Sequence, residues 1–168
     1  MTRRQQHDPL QSHAHDPNPH PPTPDPSFIF SAPDGIEQRV TVERLRDLPL
    51  TSVPNCYIVS TGHGTSGPFT FGGIQLLHLV HHLLDAAWYE VEVISADGFG
   101  NRVLKEELLN PSPAGPIILA THLDGQPLTR ADGLVRLIVP SERDDALRQV
   151  KWVSRINVLA NERERVEQ

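Results

Sequence analysis

A glycine-rich stretch, STGHGTSGPFTFGG (residues 60–73), carries residue types that let a ligand approach the backbone closely. Gly62, Gly64 and Gly67 satisfy GxGxxG directly after an apolar run, which is the fingerprint of dinucleotide binding. That chemistry needs a helix to begin within the glycines, because its N-terminal amides hold the pyrophosphate. Pro68 follows the last glycine, and the next residues, FTF, are typical of extended backbone. Pro68 also stands where a phosphate-binding loop needs lysine and where a nucleophile elbow needs glycine.

Histidines near this stretch form a candidate divalent-metal site. His78 and His82 are four residues apart, which places two imidazoles on one face of a helix, as in zinc-binding helices. The glutamate of HExxH is absent, so a third ligand would have to be His63 or His122. His63 could instead relay protons, because an imidazole titrates near neutral pH. A helix surface with scattered histidines is the alternative that we keep beside the metal site.

The composition excludes several classes of protein. The formal net charge of -6 over 168 residues gives no basic surface for nucleic acid, so we expect no nucleic-acid partner. Cys56 is the single cysteine, which excludes an internal disulfide and a cysteine-rich zinc site. No apolar run is long enough to cross a membrane, and the pair Arg3-Arg4 lacks the apolar segment of an export signal. We therefore expect a cytoplasmic protein that does not bind a membrane.

The chain divides into a foldable region and two polar ends. Residues 1–27 are rich in proline and histidine and contain few apolar side chains, so we predict a disordered tail there. Its histidines could chelate a transition metal loosely, although a solubilising leader is the simpler interpretation. Residues 28–160 are predicted to form one domain, and residues 161–168 a polar C-terminal tail.

Short strands outnumber helices in the foldable region. Residues 73–87 predict the main helix, with one face made of Ile74, Leu77, Val80, His81 and Leu84. Strands are predicted in the segments 39–48, 52–60, 89–98, 101–109, 115–128, 133–140 and 149–159. In 39–48 and 101–109 the strand is followed by a short helix. This pattern predicts an α+β domain dominated by β-sheet.

Several blocks of this region occur in a recognisable order: VTVERLRDLP (40–49), YIVSTGHG (57–64), FTFGGIQLLHLVHHLL (69–84), VEVISADGFGNRVLKEEL (91–108), IILATHLDGQPL (117–128), VRLIVP (135–140) and VKWVSRINV (150–158). Together they resemble the molybdopterin-binding domain of the sulfite oxidase superfamily, oxidoreductases that hold molybdenum in a single pterin. The resemblance implies a β-rich, mixed-sheet α+β fold with the pterin in a cleft among loops.

The resemblance also implies site residues and shows a departure from the family. The family's metal-ligating cysteine falls on Ser60, so this chain lacks that thiolate. Cys56 lies four residues earlier, about 13 Å back along an extended strand, and is expected to be a buried apolar residue instead. Serine could ligate molybdenum only through a harder oxygen, which changes potential and reactivity. The other positions implied for the cofactor are Thr61, Gly62, Gly64, Arg136, Arg148 and Lys151, with His63 as the candidate catalytic group.

The resemblance does not decide whether the chain is an enzyme. If active, it would be a molybdopterin-dependent oxidoreductase acting on a small oxo-compound, with Ser60 as the metal ligand and a partner subunit completing the cleft. One alternative is a binding or interaction module on the same fold that has lost the cofactor. Glu142, Asp144 and Asp145 favour that alternative, because carboxylates repel a phosphate dianion. A second alternative is a dinucleotide- or divalent-metal-binding protein that uses residues 60–67 and nearby histidines.

Overall fold

The computed structural model describes residues 21, 23–60, 64–140 and 148–160. Strands and helices follow one another there in the order β1 (Phe28–Ser31), β2 (Glu37–Val40), α1 (Val42–Leu45), β3 (Leu50–Ser60), β4 (Gly64–Gln75), α2 (Leu76–Leu83), β5 (Glu90–Ser95), β6 (Gly100–Leu104), α3 (Lys105–Leu109), β7 (Ile118–Leu123), β8 (Gln126–Pro127), β9 (Arg136–Ile138) and β10 (Val153–Leu159). No helix in these ranges is long and apolar enough to span a membrane.

The strands form two sheets. The first sheet has the order β2-β1-β10-β5-β6, in which β1 and β10 are parallel and the other pairs are antiparallel. The second has the order β3-β4-β7-β8, and β9 also pairs with β7. Both sheets are mixed or antiparallel and the helices are short, so the predicted α+β, sheet-dominated fold class is confirmed.

The second sheet is buried on both faces. Along β7, Leu119 belongs to the large apolar cluster shared with the first sheet and the helices. Its neighbours Ile118 and Ala120 point to the opposite face, as the pleat requires, and join a smaller cluster with Phe71. Ile138 of β9 belongs to the smaller cluster as well. We call these clusters the large core and the small core.

The predicted start of the main helix is wrong. The Gly72-Gly73 pair does not end the extended backbone, because β4 continues to Gln75 and α2 covers only Leu76–Leu83. Gly73 lies so close to β7 that a Cβ there would be 2.0 Å from the Leu119 carbonyl oxygen. Pairing with β7 therefore continues through the glycines. The buried residues of α2 are Leu76, Leu79 and Val80, so Val80 is confirmed from the predicted face, whereas His81 is exposed.

The other strand predictions differ from the structure mainly in length. The segments 39–48 and 101–109 contain a strand followed by a short helix, as predicted. β9 and β10 are shorter than predicted. Residues 133–135 form a turn and bends before β9, and residues 149–152 form a single bridge between Leu137 and Val150 followed by bends. The Asp-Gly turn after β7 is present, with Asp124 at a positive φ and its carboxylate accepting the Thr70 N–H at 2.8 Å.

Candidate functional site

The glycine-rich stretch joins two strands of a hairpin. β3 and β4 are antiparallel, with register pairs from Leu50–Ile74 to Ser60–Gly64. The predicted site residues Thr61, Gly62 and His63 lie between these strands, outside the described residues. Backbone pairing brings Ser60 and Gly64 together at the end of the hairpin. Since β4 follows the glycines, no helix begins where a dinucleotide fingerprint would need one.

Arg136 is a buried cation at the start of β9. Its side chain is 4% exposed, and its guanidinium carbon lies 5.7 Å from the centre of the Phe71 ring in the small core. Nη2 donates to Gln149 Oε1 at 2.6 Å and Nη1 donates to the Asp132 carbonyl oxygen at 3.3 Å. Nε has no hydrogen-bond partner among the described residues. Burial lowers the pKa of Arg136 to about 10, which shows how poorly its charge is solvated.

Gln149 connects this cation to the glycine hairpin. Its Nε2 donates to the Tyr57 carbonyl oxygen at 2.9 Å, while its Oε1 accepts from Arg136. Tyr57 precedes Ser60 by three residues on β3, which is about 10 Å along an extended strand. Arg136 and the end of the hairpin thus belong to one contiguous region.

Lys151 supplies a second positive charge beside Arg136. Burial and then the charge of Arg136 lower the pKa of Lys151, whereas Asp132 and Asp97 act in the opposite direction. Its Nζ lies 5.6 Å from the centre of the Trp152 ring, and Trp152 itself is buried with Nε1 donating to a backbone oxygen at 2.7 Å. Two cations that repel each other in a poorly solvated place favour an anion with several oxygens.

Gly133 allows the backbone to approach Lys151. It adopts φ +108°, and a Cβ at this position would lie 3.0 Å from the Lys151 Cβ. A side chain at residue 133 would therefore push on the lysine. The turn that contains Gly133 also carries Asp132, whose carbonyl oxygen accepts from Arg136.

Arg148 has a carboxylate partner of its own. Its guanidinium donates to both oxygens of Glu107, at 2.7 and 3.2 Å, and to the Arg102 carbonyl oxygen at 3.0 Å. Glu107 also accepts the Leu104 N–H at the start of α3. This predicted cofactor residue therefore ties the segment before β10 to α3, and Arg136 and Lys151 are the better placed cations for an incoming anion.

Cys56 has the properties of a buried apolar residue, as predicted. Its side chain is buried in the small core, and burial raises the pKa of its thiol to about 11. It pairs with Phe69 in the hairpin, whereas Ser60 pairs with Gly64. A protonated thiol at that place does not fit a metal-ligating thiolate.

The histidines do not form a metal site in the described part of the chain. No group of three or more His, Cys, Asp or Glu side chains there could hold a metal ion. His81 packs edge-on against Trp88, with ring centres 5.9 Å apart, and His82 is exposed. His122 Nδ1 lies 2.8 Å from the Thr121 hydroxyl. His63 lies outside the described residues.

Gln149 and Glu107 are the partners that the sequence did not suggest. Gln149 stands between two predicted site residues, but a neutral amide carries no charge signal. Glu107 is 41 positions from Arg148. The one local sign of a structural role for Glu107 is its capping position, three residues after Leu104 at the start of a short helix.

The fold and these side chains define a class: a two-sheet α+β domain with a buried arginine and a partly buried lysine near a glycine-rich hairpin. The family model for the oxidoreductase molybdopterin binding domain matches residues 37–167, which shows that the chain belongs to this family. The sequence matches none of the curated proteins.

Among solved structures, the sulfane dehydrogenase SoxCD from Paracoccus pantotrophus has a similar fold. The TM-score is 0.61 at 16% identity, and the match covers 80% of this chain. It covers 38% of the matched chain, so the present chain spans well under half of that protein's length. At this identity the likeness concerns the fold.

The described residues fit one part of molybdopterin and do not fit another. The unpartnered Nε of Arg136, with Lys151 beside it, suits an anionic group such as a phosphate. The single cysteine of the chain is protonated and buried away from the hairpin end. The chain therefore has no thiolate for molybdenum, and we derive no redox step through the metal.

Proposed function

We propose that this chain is a divergent molybdopterin-binding domain that keeps groups for the anionic part of the cofactor but has lost the sulfur ligand for molybdenum. The observation that supports this proposal most is the buried Arg136 guanidinium, whose Nε lacks a partner among the described residues. A buried guanidinium whose Nε has no hydrogen-bond partner costs free energy, which a bound phosphate would recover.

The proposed roles of the site residues follow from their positions. Arg136 and Lys151 bind the phosphate, and Gln149 positions Arg136 while attaching it to β3. Ser60, Thr61, Gly62 and Gly64 would lie along the pterin, and Ser60 would face the metal position. When bound, a molybdenum pterin supplies two-electron redox chemistry. Arg148 contributes by holding α3 against the segment before β10.

Within this proposal, redox activity depends on whether Ser60 can bind the metal. A serine oxygen is a harder ligand than a thiolate and must lose its proton to bind the metal, so the potential and reactivity would change. If such activity persists, the substrate is a small oxo-compound, and His63 is the proton carrier. A partner subunit that completes the cleft belongs to this proposal.

A cofactor-free binding module is the second candidate function. It is favoured by the pairing of Arg148 with Glu107, since a cation of the implied cofactor set is already neutralised by a carboxylate. The dinucleotide and divalent-metal alternative has less support, because a strand follows the glycines and no metal cluster is present among the described residues.

The experiment that separates these candidates measures the cofactor directly. The chain is purified from molybdate-fed cells, molybdenum is measured by mass spectrometry and pterin by fluorescence after acid oxidation. Our proposal expects pterin without stoichiometric molybdenum. Stoichiometric molybdenum together with pterin would show that redox function is retained, and the absence of both would favour the cofactor-free module.

Ser60→Cys tests whether the pocket around the hairpin end persists. Restoring the thiolate should raise molybdenum occupancy several-fold, because sulfur is the softer ligand. Ser66→Cys is the matched control, since Ser66 is an exposed serine of the same hairpin that pairs with Ile58. Unchanged occupancy in Ser60→Cys, or an equal rise in both variants, would contradict the proposed position of Ser60.

A further inference from the structure

A cavity of about 240 Å³ lies between α1, the start of β3 and the end of β7, where no site has been assigned. Its walls are mainly aliphatic, and its polar groups come from α1 and β7. The lining residues are Val42, Leu45, Arg46, Leu48, Leu50, Ile74, Thr121 and His122. A mostly apolar concavity with few convergent polar groups is the usual form of a small-molecule site.

A β-bulge gives this cavity its polar groups. Along the β4–β7 pair, Gly72 opposes His122 and Gly73 opposes Ala120, so Thr121 is an extra residue in β7. In a regular strand, neighbouring side chains point to opposite faces. Here Thr121 and His122 both line the cavity. Bulges are over-represented beside functional sites because they redirect side chains in this way.

The polar groups of the cavity can receive a ligand. The Thr121 hydroxyl holds His122 Nδ1 at 2.8 Å, which fixes the orientation of the ring. Within the described residues, the other ring nitrogen of His122 has no hydrogen bond. Arg46, at the end of α1, has neither a hydrogen bond nor an ion pair from its guanidinium within the same ranges. A cation and an imidazole thus border an aliphatic slot.

We propose that this cavity binds a short-chain monocarboxylate. The alkyl chain lies among the leucines, and the carboxylate binds Arg46 and the free ring nitrogen of His122. Charge complementarity selects an anion, because none of the described residues that line the cavity is acidic. Leu50 forms the rim and is 64% exposed, so burying it against an alkyl chain adds to the driving force. This site is separate from the proposed cofactor function.

The test is a titration of the full-length protein with hexanoate, followed by backbone amide shifts. We expect saturable shifts in α1 and β7, and about 15-fold tighter binding of hexanoate than of butanoate, since two more methylenes are buried. 1-Hexanol should bind about 10-fold more weakly than hexanoate, because it lacks the charge. Hexylamine should bind more weakly still.

Two variants locate the site. Arg46→Gln should weaken hexanoate binding about 10-fold and leave 1-hexanol binding unchanged. Arg39→Gln is the matched control, because it removes the same charge from β2 outside the cavity. Leu50→Asp places a repelling charge at the exposed rim, so it should abolish binding without unfolding the domain, which an unfolding curve verifies.

Several outcomes would overturn the proposal. Equal affinities for hexanoate and 1-hexanol would remove the roles of Arg46 and His122. If hexanoate shifted no amide signals, or only signals outside α1 and β7, the ligand would not bind in this cavity. Amide shifts in α1 and β7 that depend on protein concentration without hexanoate would identify a second copy of the chain as the occupant instead.

Discussion

The two faces of the second sheet are buried in different ways. The face towards the first sheet carries Leu119 and Leu137, which pack into the large apolar core. The opposite face carries Ile118 and Ile138 in the small core, next to the guanidinium of Arg136. The two faces share the same strands. One set of alternating residues therefore stabilises the domain, while the other places a charge where water is scarce.

The small-core face is where the anion binding that we propose would cost the domain stability. An apolar cluster of the large core's kind gains free energy from burial alone. A buried guanidinium loses hydration, and Gln149 recovers only part of it. Replacing a side chain of the large-core face should therefore cost more unfolding free energy than replacing one of the small-core face, and replacing Arg136 should change the proposed anion binding.

The largest expected effect comes from a matched pair on β7. Leu119→Ala and Ile118→Ala remove isomeric side chains that are both 0% exposed. We expect Leu119→Ala to cost about 4 kcal/mol and Ile118→Ala about 2–3 kcal/mol, because the small core can collapse more readily. Urea unfolding of both variants measures the difference. An equal or larger cost for Ile118→Ala would break the comparison between the faces.

Arg136→Met should have little effect on the protein without ligand. Loss of a poorly solvated charge offsets the loss of the Gln149 hydrogen bond, so unfolding free energy should change by less than about 1 kcal/mol. Phosphate should stabilise the parent protein by about 1.4 kcal/mol at tenfold excess over its Kd, and the variant hardly at all.

Unfolding with phosphate or with chloride at matched ionic strength measures this effect. Arg155→Met, which removes an exposed arginine that pairs with Glu37, is the control. Equal phosphate stabilisation in Arg136→Met and the parent would show that the small-core face has no anion site.

A smaller effect is expected where Arg148 holds α3. Glu107 is partly buried, which raises the pKa of its carboxyl, but hydrogen bonds from Arg148 and Leu104 and the charge of Arg148 lower it overall. A carboxyl whose pKa is lowered by folding stabilises the folded state at pH values above its ordinary pKa of 4.5. This contribution is lost as the pH falls through the pKa of the folded state. Glu107→Gln should cost less than about 1 kcal/mol at pH 7, since the pair is partly exposed.

The pH dependence identifies this pair. The difference between parent and Glu107→Gln should shrink below pH 4.5, whereas Glu106→Gln, on the exposed side of α3, should differ little from the parent at any pH. A difference that stayed constant down to pH 2 would mean that packing, and not the charge, accounts for the cost.

The smallest effect is expected outside both faces, in the N-terminal segment. The guanidinium of Arg130 donates to the Pro21 and Thr23 carbonyl oxygens, and Arg39 pairs with Asp25, all at exposed positions. Exposed contacts of this kind contribute little, so removing residues 1–25 should lower Tm by only a few degrees at most. Thermal unfolding of the truncated chain checks this, and a loss of about 10 °C would contradict it.

Much of the fold could be predicted because it rests on local patterns. Alternation in the segment 89–98 predicted β5, and Asp124-Gly125 predicted the turn after β7. The end of β4 could not be predicted, since two glycines normally interrupt a strand. Only the close approach of Gly73 to Leu119 explains why pairing continues there.

The site was predictable in residue types but not in partners. The resemblance pointed to Arg136, Arg148 and Lys151 alike, and no local feature distinguishes their environments. The tertiary structure gives Arg148 a carboxylate 41 residues away, whereas the one side-chain hydrogen bond of Arg136 among the described residues goes to the neutral amide of Gln149. Long-range partners follow from how strands and helices meet, which sequence spacing does not encode.

The sequence by itself determined the family and the α+β class, because these depend on residue order and identity. The tertiary structure decided that Arg136 is buried while Arg148 pairs with Glu107, and that two neighbouring residues of β7 share one cavity. Burial and strand register set those properties, and both arise only when distant segments pack together.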